Sequence, residues 1–561
     1  MKRKTWIVSA LMYALVFLVC FGVLHVFKKI TTAGDSTEYT SKAAAETNIV
    51  IDGSADDTDR ENGKMDGAEK TDFKRRSAEF SEGSDLSEDT DELWNETEKN
   101  THIRRETGYK GWSKTLPQVW PEVPEEEHYT PPRIIQATDV HYQSADSEDD
   151  GAAFQLFVER CDGKVVKYLP QLLDAFMDQV IAEKPTALVL SGDITMNGEK
   201  INHKELAEKL HKVQDAGIPV LIIPGNHDIN NPNAAVYFGD EKTSTDSVTP
   251  EEFYDIYHMY GYDQAISRDS ASLSYVYQLD ERNRLLMLDS CQYEPKNLVE
   301  GRIKAETLVW MDEQLKKAQE DGMQILPIAH HNLLAQSRMY TTQCAMDNNG
   351  EVIDLLQKYK IPLFLSGHLH VQRIRKHKAE PGVADDAYGI QEIITDAMSI
   401  PPCQYGVLQW KEDGSMEYST ESVDVSVWAK RTEQENTDLL DFVGWSEHYI
   451  QKLIADQIGG VVHNVGSDVK RSMAVTYADV YIDYYAGRNI DAKGVRTSQG
   501  YTWWERNLPD SYLLKELNSM INDSDRDNNY LLLPEDTILE ERYAWKKATA
   551  SEASPSEAGR Q

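Results

Sequence analysis

Cysteine is scarce in this chain: five residues in 561, with no Cys-x-x-Cys pair. That excludes a disulfide-stapled scaffold and a thiolate zinc ribbon, and nothing in the spacing of Cys161, Cys291, Cys344 and Cys403 pairs them. Basic residues are also few, 58 Lys and Arg against 94 Asp and Glu, giving a formal net charge of −36. So acidic a surface repels nucleic-acid backbones and anionic headgroups, and no nucleic-acid polymer is expected as a partner. Only one long uncharged run occurs, and there is no internal repeat.

That run lies at the N-terminus. Lys2, Arg3 and Lys4 precede an uncharged stretch from Thr5 to Phe27, and Lys28 and Lys29 close it. As a helix it would rise about 34 Å, enough to cross a hydrocarbon core of about 30 Å. A cleaved signal has a shorter apolar region and a small-residue cleavage site, which Thr31-Thr32-Ala33-Gly34 matches poorly. The expectation is a single-pass anchor in the cell membrane, with basic residues inside and the rest of the chain extracytoplasmic.

From Thr31 to Thr130 there are 25 acidic and 12 basic side chains, and neither the helical nor the strand period occurs. Such composition predicts a disordered tether, ended by Pro131-Pro132. Beyond it, short β-branched or Leu-rich runs recur at 134–137, 187–190, 220–223, 325–329 and 361–365. Amphipathic patterns at 167–183 and 202–216 separate the early ones, a βαβαβ rhythm that places functional loops at strand ends. Segments 274–279 with 284–288, and 407–410 with 416–420, read as antiparallel pairs around turns. After Val425 the strands are expected to stop, with helices at 441–458, 468–486 and 503–521. The organisation expected is an anchor (1–30), a tether (31–130), a strand-rich domain (131–425), a helical domain (426–545) and a disordered tail (546–561). The fold class expected is α/β, a two-layer β-sandwich flanked by helices.

Each loop after a strand candidate carries metal-binding side chains. They are Asp139-Val140-His141, Gly192-Asp193, Gly225-Asn226-His227-Asp228, His330-His331 and Gly367-His368-Leu369-His370. Mixed carboxylate, imidazole and amide ligands suit Mn, Fe or Zn, and the set is about large enough for two ions. Two ions ~3.5–4 Å apart suit in-line attack on phosphorus. One Asp-x-His means nothing alone; five such loops in this order are hard to explain by packing.

Together these motifs resemble the calcineurin-like metallophosphoesterases over about 134–420, with every ligand position filled. Asp139-Val140-His141-Tyr142, the run Gly225 to Asn231 and His330-His331-Asn332 are similar to a bacterial extracytoplasmic branch described as cyclic-nucleotide phosphodiesterase-like, which has a helical C-terminal domain. Asn332 departs from relatives that have Pro after the His pair. The resemblance implies that Asp139, His141 and His370 hold one divalent ion, that Asn226, His330 and His368 hold the other, and that Asp193 bridges. It implies that His227 faces the phosphate with Asp228 orienting its ring, and leaves His331 between a supporting and a substrate role. Tyr142 either borders substrate or packs.

Other features read as structural. Arg373, Arg375, Lys376 and Lys378 suggest a solvated basic face, His203 and His211 an exposed helix surface, and Trp503 and Trp504 domain packing. The expected activity is hydrolysis of small phosphate esters by a metal-bound hydroxide, as a phosphodiesterase with 3′,5′-cyclic nucleotides as candidate substrates. The alternatives are a phosphomonoesterase or nucleotidase on the same core, and a non-catalytic binding module. No protein partner is legible.

Overall fold

The computed structural model describes residues 129–533 apart from 336, 338–342, 378–388, 464 and 525. The expected anchor, the tether up to His128 and the tail lie outside the described residues. Among the described residues no helix is long and apolar enough to cross a membrane.

Two mixed sheets carry the strand-rich domain. Across the first run Tyr530–Leu533, Met416–Ser422, Gln404–Trp410, Arg133–Ala137, Ala187–Ser191 and Val220–Ile223. Across the second run Arg373–Lys376, Gln391–Ile394, Leu363–Ser366, Gln324–Ala329, Asn283–Leu288, Tyr275–Gln278 and Ser267–Arg268. The three early strands are parallel, with Ile134 opposite Ala187 and Leu188 opposite Val220. Helices Leu169–Glu183 and Lys200–Asp215 make the crossovers that parallel pairing requires.

Strand residues alternate between two cores, which is why the strands read as unbroken apolar runs. Leu363 and Leu365 join Ile135, Leu190 and Leu221 in the main core, whereas Phe364 packs with Met311, Leu315 and Leu356 of the covering helices. The two-layer α/β architecture is therefore present as expected. Both expected antiparallel pairs form.

Four details differ from the sequence reading. Strands do not stop at Val425: Tyr530–Leu533 returns after the helices and pairs antiparallel with Met416–Ser422. The expected helix over 503–521 is two, Gln499–Asn507 and Tyr512–Asp523, because Pro509 cannot continue the first and Ser511 caps the second. Arg373 does not lie on a solvated face. It is fully buried within a strand, stacked over Tyr484 at 4.4 Å and 3.4 Å from the Asp523 carboxylate of the helical domain. Finally, Val425, Trp428, Leu439 and Phe442 belong to the sandwich core, so the helical domain's own core begins near Ile450. Trp504 is fully buried there, as packing predicts.

Candidate metal centre

The five motif loops meet at the C-terminal ends of the parallel strands. Arg133–Ala137 ends into Asp139 and His141, Ala187–Ser191 into Asp193, Val220–Ile223 into Asn226 and His227, Gln324–Ala329 into His330, and Leu363–Ser366 into His368 and His370. The loops turn sharply. Asp139, His141, Asp193, His368 and His370 all have φ between 47° and 72°, a left-handed conformation that non-glycine residues hold only when surroundings enforce it. The motif glycines permit the close approach. A Cβ on Gly192 would lie 2.6 Å from the His330 ring, one on Gly225 2.1 Å from the Asp193 backbone nitrogen, and one on Gly367 2.0 Å from Thr138 Oγ1.

The two carboxylates divide their oxygens in the same way. Asp139 Oδ2 accepts from Thr138 Oγ1 and the His368 backbone N–H, and Asp193 Oδ1 accepts from the His227 backbone N–H at 2.7 Å. The remaining oxygens face imidazoles. Asp139 Oδ1 lies 3.1 Å from His370 Nε2, which is 3.2 Å from His141 Nε2. Asp193 Oδ2 lies 3.3 Å from His330 Nε2 and 4.0 Å from both His141 Nε2 and His227 Nε2.

His330 Nδ1 donates to the Ser191 carbonyl at 3.0 Å, so in the neutral ring Nε2 presents a lone pair to a carboxylate. Asp139 Oδ1, Asn226 Oδ1 and His330 Nε2 are buried without a hydrogen-bond partner. Lone pairs so converged repel unless a proton or cation lies between them. Burial opposes a charge on His330, but the Asp193 carboxylate outweighs it and pushes the ring up to about 9. A divalent ion answers the same demand with more charge, so the donor set fits the metal ions that the fold implies.

Among the described residues, potential ligand atoms converge in two groups, Asp139–His141–Asp193–His370 and His330–His331–His368. Asn226 Oδ1 is buried without a hydrogen-bond partner, and its loop is held by Asn297 Nδ2, which donates to the carbonyls of Asn226 and Ile229 at 2.8 Å each. His331 differs from its neighbours. Its Nδ1 is 2.8 Å from Ser290 Oγ and its Nε2 donates to the Val299 carbonyl at 3.0 Å, so no nitrogen is left to ligate or touch substrate. His368 Nε2 faces the Gln343 carbonyl at 2.9 Å, leaving Nδ1 for the centre. Burial, then the Lys164 ammonium, hold His141 well below the ordinary imidazole range, and burial draws His368 to about 4.

His227 stands at the rim, its side chain 20% exposed and its ring perpendicular to His141 at 4.8 Å. The structure corrects the expected role of Asp228. Its carboxylate accepts from the backbone N–H groups of Ile194, Thr195 and Gly225 and from Thr195 Oγ1, bracing two loops. The His227 ring is instead oriented by the Met196 carbonyl, 2.7 Å from Nδ1. His203, expected on the surface, is fully buried against this bracing, bonded to Thr195 Oγ1, Tyr257 and the Asp228 carbonyl. Charged neighbours on its helix hide that inward face. Tyr142 is buried in the main core and packs. Asn332 does more than shape a loop: Nδ2 donates to Ser366 Oγ and the Gly367 carbonyl, tying two ligand loops together. Cys161, Cys291, Cys344 and Cys403 are all buried.

Residues 132–372 match the calcineurin-like phosphoesterase family, and residues 424–527 match the C-terminal domain of cyclic nucleotide phosphodiesterase. A protein of Ruthia magnifica subsp. Calyptogena magnifica, described as a probable cyclic nucleotide phosphodiesterase, is 26% identical over 35% of this chain and 68% of its own. Among solved structures, a dimetal phosphatase from Danio rerio is 15% identical with a TM-score of 0.39, covering 52% of this chain and 97% of that one. A purple acid phosphatase from yellow lupin seeds is 14% identical with a TM-score of 0.35, covering 53% and 52%. The chain thus carries a calcineurin-like phosphoesterase domain joined to a cyclic-nucleotide-phosphodiesterase C-terminal domain, and it is a hydrolase of phosphoric esters.

Proposed function

We propose that the chain is a phosphodiesterase working with two divalent ions, Mn, Fe or Zn, on small diesters, with 3′,5′-cyclic nucleotides as the leading class. The observation that carries this reading is Asp193 Oδ2, which lies within 4.0 Å of His330, His141 and His227 at once. Asp139, His141 and His370 would hold one ion, Asn226, His330 and His368 the other, with Asp193 shared between them. Bound there, the ions supply positive charge that polarises phosphate oxygens and acidifies a water.

The protein's own part is positioning and proton handling. The Met196 carbonyl accepts a hydrogen bond from His227 Nδ1–H and fixes the ring, with Nε2 turned toward Asp193. Protonated at Nε2, His227 would donate to the departing ester oxygen. The C-terminal domain match and the Ruthia magnifica relative support cyclic nucleotides. The uncharged span 5–27 supports a membrane-anchored protein whose catalytic domain lies outside the cytoplasm.

The test is the full chain, loaded in turn with each metal and assayed on a 3′,5′-cyclic nucleotide, a linear dinucleotide and a nitrophenyl monoester. Diester turnover should exceed monoester turnover, with the cyclic substrate preferred. A monoester preference would overturn the diesterase reading in favour of a phosphomonoesterase.

A further inference from the structure

The strand Gln391–Ile394 supplies none of the motif residues, yet it carries a buried carboxylate. It runs parallel to Leu363–Ser366, with Glu392 opposite Phe364 and Ile393 opposite Leu365. Ile393 points into the main core, so Glu392 points the other way, onto the face where Phe364 packs with Leu333 and Leu334. There it is fully buried among apolar side chains. A carboxylate in such a place is costly unless donors meet it.

The donors come from two ligand loops. Glu392 Oε1 accepts from the Leu333 N–H and from Ser366 Oγ, and Oε2 accepts from the Leu334 N–H, all at 2.7 Å. Backbone N–H groups can only donate, so both oxygens act as acceptors. Leu333 and Leu334 directly follow His330-His331-Asn332, and Ser366 is the residue from which Gly367 and His368 turn away. Asn332 Nδ2 reaches the same hydroxyl at 3.0 Å, and the Gly367 N–H donates to the His330 carbonyl at 3.0 Å. One carboxylate thus spans the loops of His330 and His368, whose ring centroids lie 5.2 Å apart. Asp139 and His141 belong to a different loop, whose N–H groups are held by the carbonyls of Gly192 and Asp193.

We propose that Glu392 is a positioning residue for the metal centre. It fixes the separation of His330 and His368, and through them the affinity for the ion they would share with Asn226. This rests on the two-ion reading above and adds to it a residue from a strand without ligands. The ion of Asp139 and His141 should depend on Glu392 far less.

The experiment titrates the metal-stripped full chain with Mn²⁺ in a calorimeter, wild type against Glu392→Gln. Gln keeps the shape but sets an amide NH₂ where an acceptor stood, donor against donor. One of two binding steps should weaken about ten- to a hundredfold, the usual loss when a group supporting a metal ligand is changed. The other step should hold. In a His141→Gln background, Glu392→Gln should weaken the remaining ion by the same factor. In a His330→Gln background it should add nothing, because groups acting through one another are not additive. Ser366→Ala removes one donor and leaves the backbone pair, so it serves where the first change disturbs folding. It should weaken the same step about two- to tenfold. Urea unfolding of the metal-free variants supplies the control. A merely structural Glu392 would lower metal-free stability while both steps stay unaltered or weaken alike, and either pattern would overturn the proposal. A wild-type chain that binds fewer than two ions at saturation would overturn the two-ion reading and this role with it. Unaltered steps in a chain that binds two would overturn the role of Glu392 alone.

Discussion

Two sets of histidines, a front layer at the metal centre and a layer that braces it, differ in what their nitrogens face. In the front layer, His141, His330 and His370 turn nitrogens toward the carboxylates of Asp139 and Asp193. In the layer behind, His203 and His331 have both nitrogens occupied by protein oxygens. All of these rings except His370 are fully buried, so burial does not separate a ligand from a bracing residue. The lone pair left without a proton does. The front layer is unstable without a cation, and the rear layer is complete without one.

The largest effect should follow from breaking the front layer at its centre. Asp193→Asn keeps the shape but removes the charge shared by both sets of histidines. It should lose at least one ion per chain and reduce turnover by about 10⁴-fold or more, since a metal's charge stabilisation is worth several kcal/mol. Elemental analysis finding two ions still bound would refute the shared role.

The rim comes next. His227→Ala should retain both ions and bind substrate nearly as well, while turnover falls by about 10²–10⁴-fold. As the leaving-group acid, His227 should matter far more for an alkyl ester than for a nitrophenyl diester, whose leaving group departs unprotonated. Equal losses on the two substrates would leave charge stabilisation as its role and reject proton donation.

The smallest effect sharpens the contrast most. His330→Gln and His331→Gln change adjacent residues by the same chemistry. The first should cost metal and activity. The second should keep both and lower stability by about 1–3 kcal/mol, the cost of disturbing satisfied buried hydrogen bonds. Urea unfolding and metal analysis on the pair would read this out, and matching metal losses would erase the distinction between the layers.

Much of this was legible in the sequence because local chemistry carried it. Strands buried on both faces, such as Leu363–Ser366, leave unbroken apolar runs, and every ligand but His330 sits beside a glycine or a sharp turn that the geometry needs. What escaped depends on distant partners or on backbone. Arg373 reads as one of a basic run until Asp523, 150 positions away, is brought against it. His203 lies among charged residues whose helical face turns outward while its own turns in. The orienting group for His227 is a carbonyl, which any residue at 196 would supply, so side-chain identity does not mark it.

The strand Tyr530–Leu533 changes what kind of object the helical domain is. It leaves the first sheet after Met416–Ser422 and comes back to pair with that same strand, so the helices form an excursion between two neighbouring strands rather than an appendage. Cutting the chain after Val425 would therefore do more than remove helices. It would leave the backbone of Met416–Ser422 without its outer partner, a bare edge open to pairing with another copy. Removing this excursion by truncation would expose that seam, so the outer edge of the sheet depends on the chain that returns from the helices.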